Sequence, residues 1–228
     1  MSEIAFTLKR PGKPDEDIVY QVDLILCLGF AGRDQAKVQE HIDELRAIGV
    51  ECPTETPVIY PTAGYLATTS DTVQVVGEDT GPEVEFVFAP YQDRLLVGLA
   101  SDHTDRDLEK VNINKSKQVC PKVLSTVFWD YEDVKEHWDK LVLKSWIDVE
   151  RGEEVYQDSP ATALMSVEDL LERTKKDYEV KPGTIVLSGT VPVIGGDMAT
   201  PEHFAAALVD PVVKREIRMA YSVCNLLD

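Results

Sequence analysis

The sequence calls for a β-rich α+β fold with helices packed at its periphery. Three observations lead there. From Glu51 to Pro90 the chain is rich in Pro, Thr, Gly and Val, with short runs such as PVIYP, DTVQVVG and EVEFVFAP that suit compact β-structure with tight turns. A minority of segments, RDQAKVQEHIDELRAIG and SVEDLLERTKKDY among them, carry apolar residues at helical spacing. No internal repeat, low-complexity tract or linker interrupts the 228 residues, so one domain spanning 1–228 is expected.

The run IAFTLKRP alternates like an edge strand, KPDED turns, and VYQVDLILCLGF reads as a buried strand. In the helix that follows, Val38, Ile42, Leu45 and Ile48 recur on one side, with His41 inside that arc and Gly49 placed to end it. DRLLVGLA and KLVLKSWIDVERGEEVYQ add strands. Ser166 and Asp169 form a capping pair for SVEDLLERTKKDY, and KPG punctuates before the strand TIVLSG. TPEHFAAALVD and DPVVKREIRMAYSVCNLL each begin with a cap followed by Pro, and both are expected to be helices. His137 and Trp138 are expected on a packing helix.

Composition excludes several classes of function. With 41 acidic against 23 basic residues, the net charge of −18 repels nucleic acid and anionic membrane surfaces, so neither is an expected partner. The longest apolar stretch, VDLILCLGFAG, is too short and interrupted to span a bilayer, and a cytoplasmic protein is expected. Cys27, Cys52, Cys120 and Cys224 are scattered without a CxxC pair, which suits reduced thiols rather than a zinc site or a disulfide framework. There is no GxGxxG or GxxxxGK[ST] loop, Ser188 lacks the GxSxG setting of a nucleophile, and Gly195 to Asp197 is a turn signal. An anionic small molecule can still bind where local cations invert the field, which draws attention to Arg106 and Lys115.

Two acidic clusters stand out. In a strand reading of GPEVEFVFAP, Glu83 and Glu85 share one face, while Val84, Phe86 and Phe88 share the other. Paired like charges are tolerated on a solvated face or around a cation. The second cluster, SDHTDRDLE, suits either a helix start capped by Asp102 or Thr104, or a group of ligands.

DHTDRDLE followed by NKSKQVCPK resembles a signature of the fumarylacetoacetate hydrolase superfamily. LILCLGFAGRDQA and PTETPVIYP upstream, and RGEEVYQDSPATALMSVEDLLE and VKPGTIVLSGTVPVIGG downstream, match further blocks of that family in the same order. The similarity runs from about Leu24 to about Gly196 and is closest to a bacterial and fungal branch of unknown function. It implies a mixed β-sheet roll with peripheral helices and a homodimer. It also implies a Mg²⁺ or Mn²⁺ site formed by Glu83, Glu85 and Asp102, and all-oxygen ligands suit such hard cations. Arg106 and Lys115 fall on positions that contact substrate oxygens, and Thr190 falls in a loop that holds a substrate carboxylate.

The chain departs from the family in places. Gln35 and Val38 stand where the water-activating His and Glu usually are, whereas His41 and Glu44 lie three apart on the same helix, as a displaced pair would. Glu109 replaces a Gln that helps hold the substrate, and the interval from Glu85 to Asp102 is shortened. His103 and Asp105 are further candidates for the site lining. The resemblance implies metal-dependent hydrolysis of a carbon–carbon bond in a small anionic oxo acid of the acylpyruvate type, with His41 and Glu44 activating water. A metal-dependent lyase or isomerase acting through an enolate, and a non-catalytic metal- or ligand-binding protein, are the alternatives.

Overall fold

The computed structural model describes residues 2–47, 53, 55–147, 154–196 and 198–227. Most of the chain forms two sheets. The larger has ten strands, with the main path Glu16–Val22, Ser2–Leu8, Val127–Asp130, Arg94–Asp102, Val84–Tyr91, Thr184–Leu187, Leu24–Gly29 and Val58–Ala63. Lys122–Leu124 joins it beside Arg94–Asp102 and pairs in turn with Ala67–Thr68. Parallel pairs, such as Thr184–Leu187 with Leu24–Gly29, stand among antiparallel ones, so the sheet is mixed.

This sheet curls on itself. Tyr20, on the strand at one end of the path, reaches strands near the other end, where its hydroxyl donates to Pro90 O at 2.9 Å and accepts from Gly183 N at 3.0 Å. Inside the curl, Ile4, Phe6, Leu8, Ile25, Val87, Leu96 and Phe128 form one apolar cluster. The five-stranded sheet, ordered Glu154–Pro160, Val142–Ile147, His203–Asp210, Arg215–Asn225 and Thr72–Val75, lies against the other face. There Phe86, Phe88, Leu99 and Trp129 pack with Phe204, Leu208, Ile217 and Tyr221. Val84–Tyr91 is therefore buried on both faces, which is why EVEFVFAP reads as nearly continuous apolar sequence.

Helices are few and peripheral. Gln35–Ala47 forms as its spacing predicts, with Ile42 buried and Val38 half-buried; the side chain of Leu45, with Ile48 and Gly49, lies outside the described residues. Val167–Lys175 is capped by Ser166, whose hydroxyl accepts from Asp169 N. Trp138, in the short 3-10 helix Lys135–Lys140, packs on Phe86 with ring centroids 4.6 Å apart, and His137 hydrogen-bonds Asp210. Among the described residues no helix is long and apolar enough to cross a membrane. Cys27, Cys120 and Cys224 are free thiols, while Cys52 and Asp197 lie outside the described residues.

Three expectations are overturned. His203–Asp210 and Arg215–Asn225 are the two strands of a hairpin, not helices. The governing period is two: Ile217, Met219 and Tyr221 point inward while Glu216, Arg218 and Ala220 point out. Asp210 does accept backbone N–H groups, from Val212 and Val213, but the residues beyond form a tight turn closed by Lys214 at φ 57° instead of a helix. Ser2–Leu8 is also not an edge, because it pairs on both sides; Glu16–Val22 takes that place. VYQVDLILCLGF divides at Asp23 into two strands.

Gly98 and Phe128 lie on neighbouring strands, and the packing between them is tight. A Cβ on Gly98 would lie 2.7 Å from the Phe128 ring, and that ring is fully buried. Gly98→Val is expected to cost about 1–3 kcal/mol of overpacking strain, read as a lowered midpoint in urea unfolding. An unchanged midpoint would show that this contact is loosely packed.

Candidate metal centre and cleft

The pairing of Val84–Tyr91 with Arg94–Asp102 sets Glu85 opposite Ala100 and Val84 opposite Ser101, and Asp102 N donates to Glu83 O at 3.0 Å. Alternation then puts Glu85 on the inner face with Val87, and Asp102 on that face with Leu96 and Ala100. The acids are the polar end of an otherwise apolar interior. All three are buried, and one oxygen from each of Glu83, Glu85 and Asp102 lies within 4.8 Å of the others.

Three basic side chains converge on them. Lys122 is the cross-strand neighbour of Asp102; its Nζ lies 2.7 Å from Asp102 Oδ1 and donates to His103 O at 2.7 Å. Lys117, from the helix Ile113–Gln118, donates to Asp102 Oδ2 at 2.8 Å and Glu83 Oε2 at 3.2 Å. Arg106 Nη1 donates to Glu83 Oε1 and to Glu109 Oε2, both at 2.9 Å, and Nη2 donates to Gly81 O at 3.2 Å. Gly81 leaves the room this needs, since a Cβ there would meet Ala199 O and crowd Arg106 Nε.

The acids are unequal in their partners. Burial pushes Glu83 up, but Lys117 and Arg106 outweigh it and hold the carboxyl below its ordinary range. Burial likewise opposes ionisation of Asp102, and Lys117 with Lys122 overcome it, so Asp102 is held low. Glu85 has no such cation of its own. Burial, reinforced by Asp102, pushes it well above the carboxylate range. Its Oε2 accepts from Gly189 N at 2.9 Å, but its Oε1 is buried without a partner. Asp102 Oδ1 has the Lys122 ion pair but no aligned hydrogen bond.

Four carboxylates, Glu109 included, thus face three cations, and Glu85 Oε1 is left buried without a partner. Buried polar atoms are seldom left without a partner. The oxygen-only donor set and its orphaned Glu85 oxygen fit a hard divalent cation.

The centre adjoins a cleft of about 570 Å³. Glu83, Glu109, Lys117, Tyr60 and Thr190 are among its polar lining residues. The Thr190 hydroxyl donates to Val84 O at 2.9 Å and accepts from Gln157 Nε2 at 2.9 Å. Beside it, Gly189 has φ +82° and its Cβ would lie 2.9 Å from Leu28 O, so glycine is required for the turn that brings its N–H to Glu85.

Several expectations need correction. Lys115 is exposed and makes no contact with the acids; the lysine that reaches them is Lys117. Positions two apart on a helix differ by about 200° around its axis, so only one can face the centre. Lys117 is one turn from Ile113, which also lines the cleft, and that i, i+4 relation was the available signal. Arg106 braces Glu83 and Glu109 and does not line the cleft. Neither His103 nor Asp105 lines it. Asp105, rather than Asp102 or Thr104, caps the helix Arg106–Glu109. His103 is buried between Tyr221 OH and Thr80 Oγ1, each at 3.0 Å; burial, then Lys122 and Arg106, lower its pKa to about 3. His41 and Glu44 belong to the helix Gln35–Ala47, but their side chains lie outside the described residues. No sequence pattern singles out Tyr60, which lines the cleft, or Lys122, which pairs with Asp102.

Lys122 is fully buried against Asp102. Lys122→Met leaves Asp102 short of one partner in a dry site and is expected to cost about 3–5 kcal/mol in urea unfolding. Adding Asp102→Asn should recover part of that loss. Strictly additive losses in the double-mutant cycle would refute the coupling.

Comparison with solved structures shows the fold in other proteins. A 2-keto-3-deoxy-D-arabinonate dehydratase complexed with magnesium and 2,5-dioxopentanoate is similar at TM-score 0.62 and 14% identity, covering 94% of this chain and 79% of that one. Fumarylacetoacetate hydrolase from psychrophilic Exiguobacterium antarcticum is similar at TM-score 0.63 and 12% identity, covering 93% and 81%. For 4-oxalocrotonate decarboxylase from Pseudomonas putida G7, complexed with calcium and acetate, the values are TM-score 0.55 and 12% identity, covering 87% and 76%. No curated protein matches the chain in sequence. The fold is thus that of the fumarylacetoacetate hydrolases, and through a family model that matches residues 28–221 the chain belongs to DUF2848, a family of proteins of unknown function.

Proposed function

We propose that the protein is a divalent-metal-dependent hydrolase that cleaves a carbon–carbon bond in an acylpyruvate-like oxo acid, with Mg²⁺ or Mn²⁺ held by Glu83, Glu85 and Asp102. The observation that carries this reading is the orphaned Glu85 oxygen in a buried all-oxygen triad beside a cleft. A divalent cation bound there supplies a Lewis acid for a carbonyl oxygen of the substrate. Lys117 lines the cleft and donates to the oxygen on which enolate charge develops. Arg106 keeps Glu83 and Glu109 in place, and the Gly189–Thr190 turn borders the substrate carboxylate while its Gly189 N–H holds Glu85. Lys115, on the exposed side of its helix, is left out of the site.

The proposed water-activating pair is His41 with Glu44. Lys37 and Val38 line the cleft, and position 41 follows them by one helical turn. His41 takes a proton from water, and the hydroxide attacks the ketone carbon beside the scissile bond. That bond's electron pair leaves as an enolate, which is then protonated, so the products are two carboxylic acids. With this reading go a homodimer, which light scattering would test, and a cytoplasmic setting.

A lyase is the second reading, since the fold is shared with a 2-keto-3-deoxy-D-arabinonate dehydratase and a 4-oxalocrotonate decarboxylase. Without a base for water, the same enolate leads to decarboxylation or dehydration. Acylpyruvate turnover with Mg²⁺ or Mn²⁺ should follow as loss of enol absorbance and stop on chelation. Lys117→Met is expected to lower kcat about a hundredfold, and Asp102→Asn to abolish Mn²⁺ binding in electron paramagnetic resonance. Retention of full activity by His41→Ala would rule out the hydrolytic pair and favour the lyase.

A further inference from the structure

We infer that the oxo acid bound in the cleft carries a hydrocarbon substituent rather than a hydroxylated chain, an inference that rests on the proposed function. The polar groups gather at the metal end. Burial, then Lys117, Glu109 and Glu83, set the ionisation of Tyr60, so these four side chains share one local field. The rest of the lining is largely apolar and includes Phe30, Val38, Ile113, Ala163, Leu164 and Val193. All but Leu164 are half-buried and keep apolar surface open to the cleft. Lys37 is the charged exception, and its side chain is largely solvent-exposed beside Asp34.

The main chain of this wall is already committed to other partners. Arg33 N donates to Ala163 O at 3.0 Å, Met165 N to Ala31 O at 2.9 Å, and Arg33 Nε to Leu164 O at 2.8 Å. Gly32 bridges Leu164, and Gly32 O accepts from Gln35 Nε2 at 2.6 Å. The Thr190 hydroxyl is engaged on both sides. Phe30 holds φ 57°, a left-handed backbone that a bulky residue adopts at a cost, so strain is spent on presenting an aromatic ring at this point. A hydroxylated chain lying against these apolar side chains exchanges its water for carbon surface and for backbone groups that are already paired. A hydrocarbon chain loses nothing and gains about fourfold in affinity per buried methylene.

The test uses the full chain with Mn²⁺ and isothermal titration calorimetry. Its ligands are oxalate, straight-chain 2-oxo acids of increasing length, and a hydroxylated 2-oxo-3-deoxy acid matched in length to one of them. The expected result is a Kd that falls about fourfold per methylene over the first few carbons, with the hydroxylated acid at least tenfold weaker than its hydrocarbon match. Val38→Asn should flatten that slope. If oxalate binds but chain length has no effect, or the hydroxylated acid binds more tightly, the hydrocarbon assignment is overturned while the oxo-acid reading stands. If not even oxalate binds in the presence of Mn²⁺, the proposed function itself fails and the assignment falls with it.

Discussion

Burying three carboxylates at one end of the curled sheet, with half-buried Glu109 beside them and three basic side chains among the four, is the condition to which the surrounding structure answers. A charge removed from water is tolerated only when it is matched by partners of good geometry. Lys122 is brought to Asp102 by strand pairing, Lys117 by a short helix capped by Asn112, and Arg106 by the helix capped by Asp105. The glycines at positions 81 and 189 exist in the same service, one clearing space for the guanidinium and the other turning an N–H toward Glu85. What these arrangements leave over is one carboxylate without a cation of its own, and this open demand separates a ligand-binding centre from a structural ion-pair network.

The cleft beside this centre has two characters because two kinds of backbone build it. Strand ends and capped helix starts supply its charged end. The stretch from Gly29 to Arg33, stitched by hydrogen bonds to Ala163–Met165, supplies a wall whose own polar groups are satisfied. Recognition by such a site divides accordingly, with charge and coordination at one end and shape and desolvation along the other.

The sequence made the acids legible because a strand's period of two is local: Glu83 and Glu85 had to share a face whatever the fold. The resemblance then joined Asp102 to them. Lys122 was invisible for the opposite reason, since its tie to Asp102 is a cross-strand pairing between positions 20 apart that no local pattern encodes. Lys115 was preferred over Lys117 because a motif fixes a neighbourhood, while helix rotation decides which member of it points inward. The last hairpin is ambiguous in sequence because Asp-Pro is a turn signal as well as a helix start, and the inward alternation of Ile217, Met219 and Tyr221 is the signal that decides for a strand. The curl of the larger sheet lies beyond periodicity, because it depends on contacts such as that of Tyr20 with Gly183.

That hairpin carries a consequence for the centre itself. Tyr221 OH lies 2.8 Å from Ser101 Oγ and 3.0 Å from His103 Nδ1, the two residues that flank Asp102. The phenol works as a splint laid across the strand end from the opposite sheet, and it fixes the backbone on both sides of the carboxylate without touching it. The geometry of the acids is therefore set partly by the final strand, and damage to a region with no binding residue of its own would be felt first at Asp102.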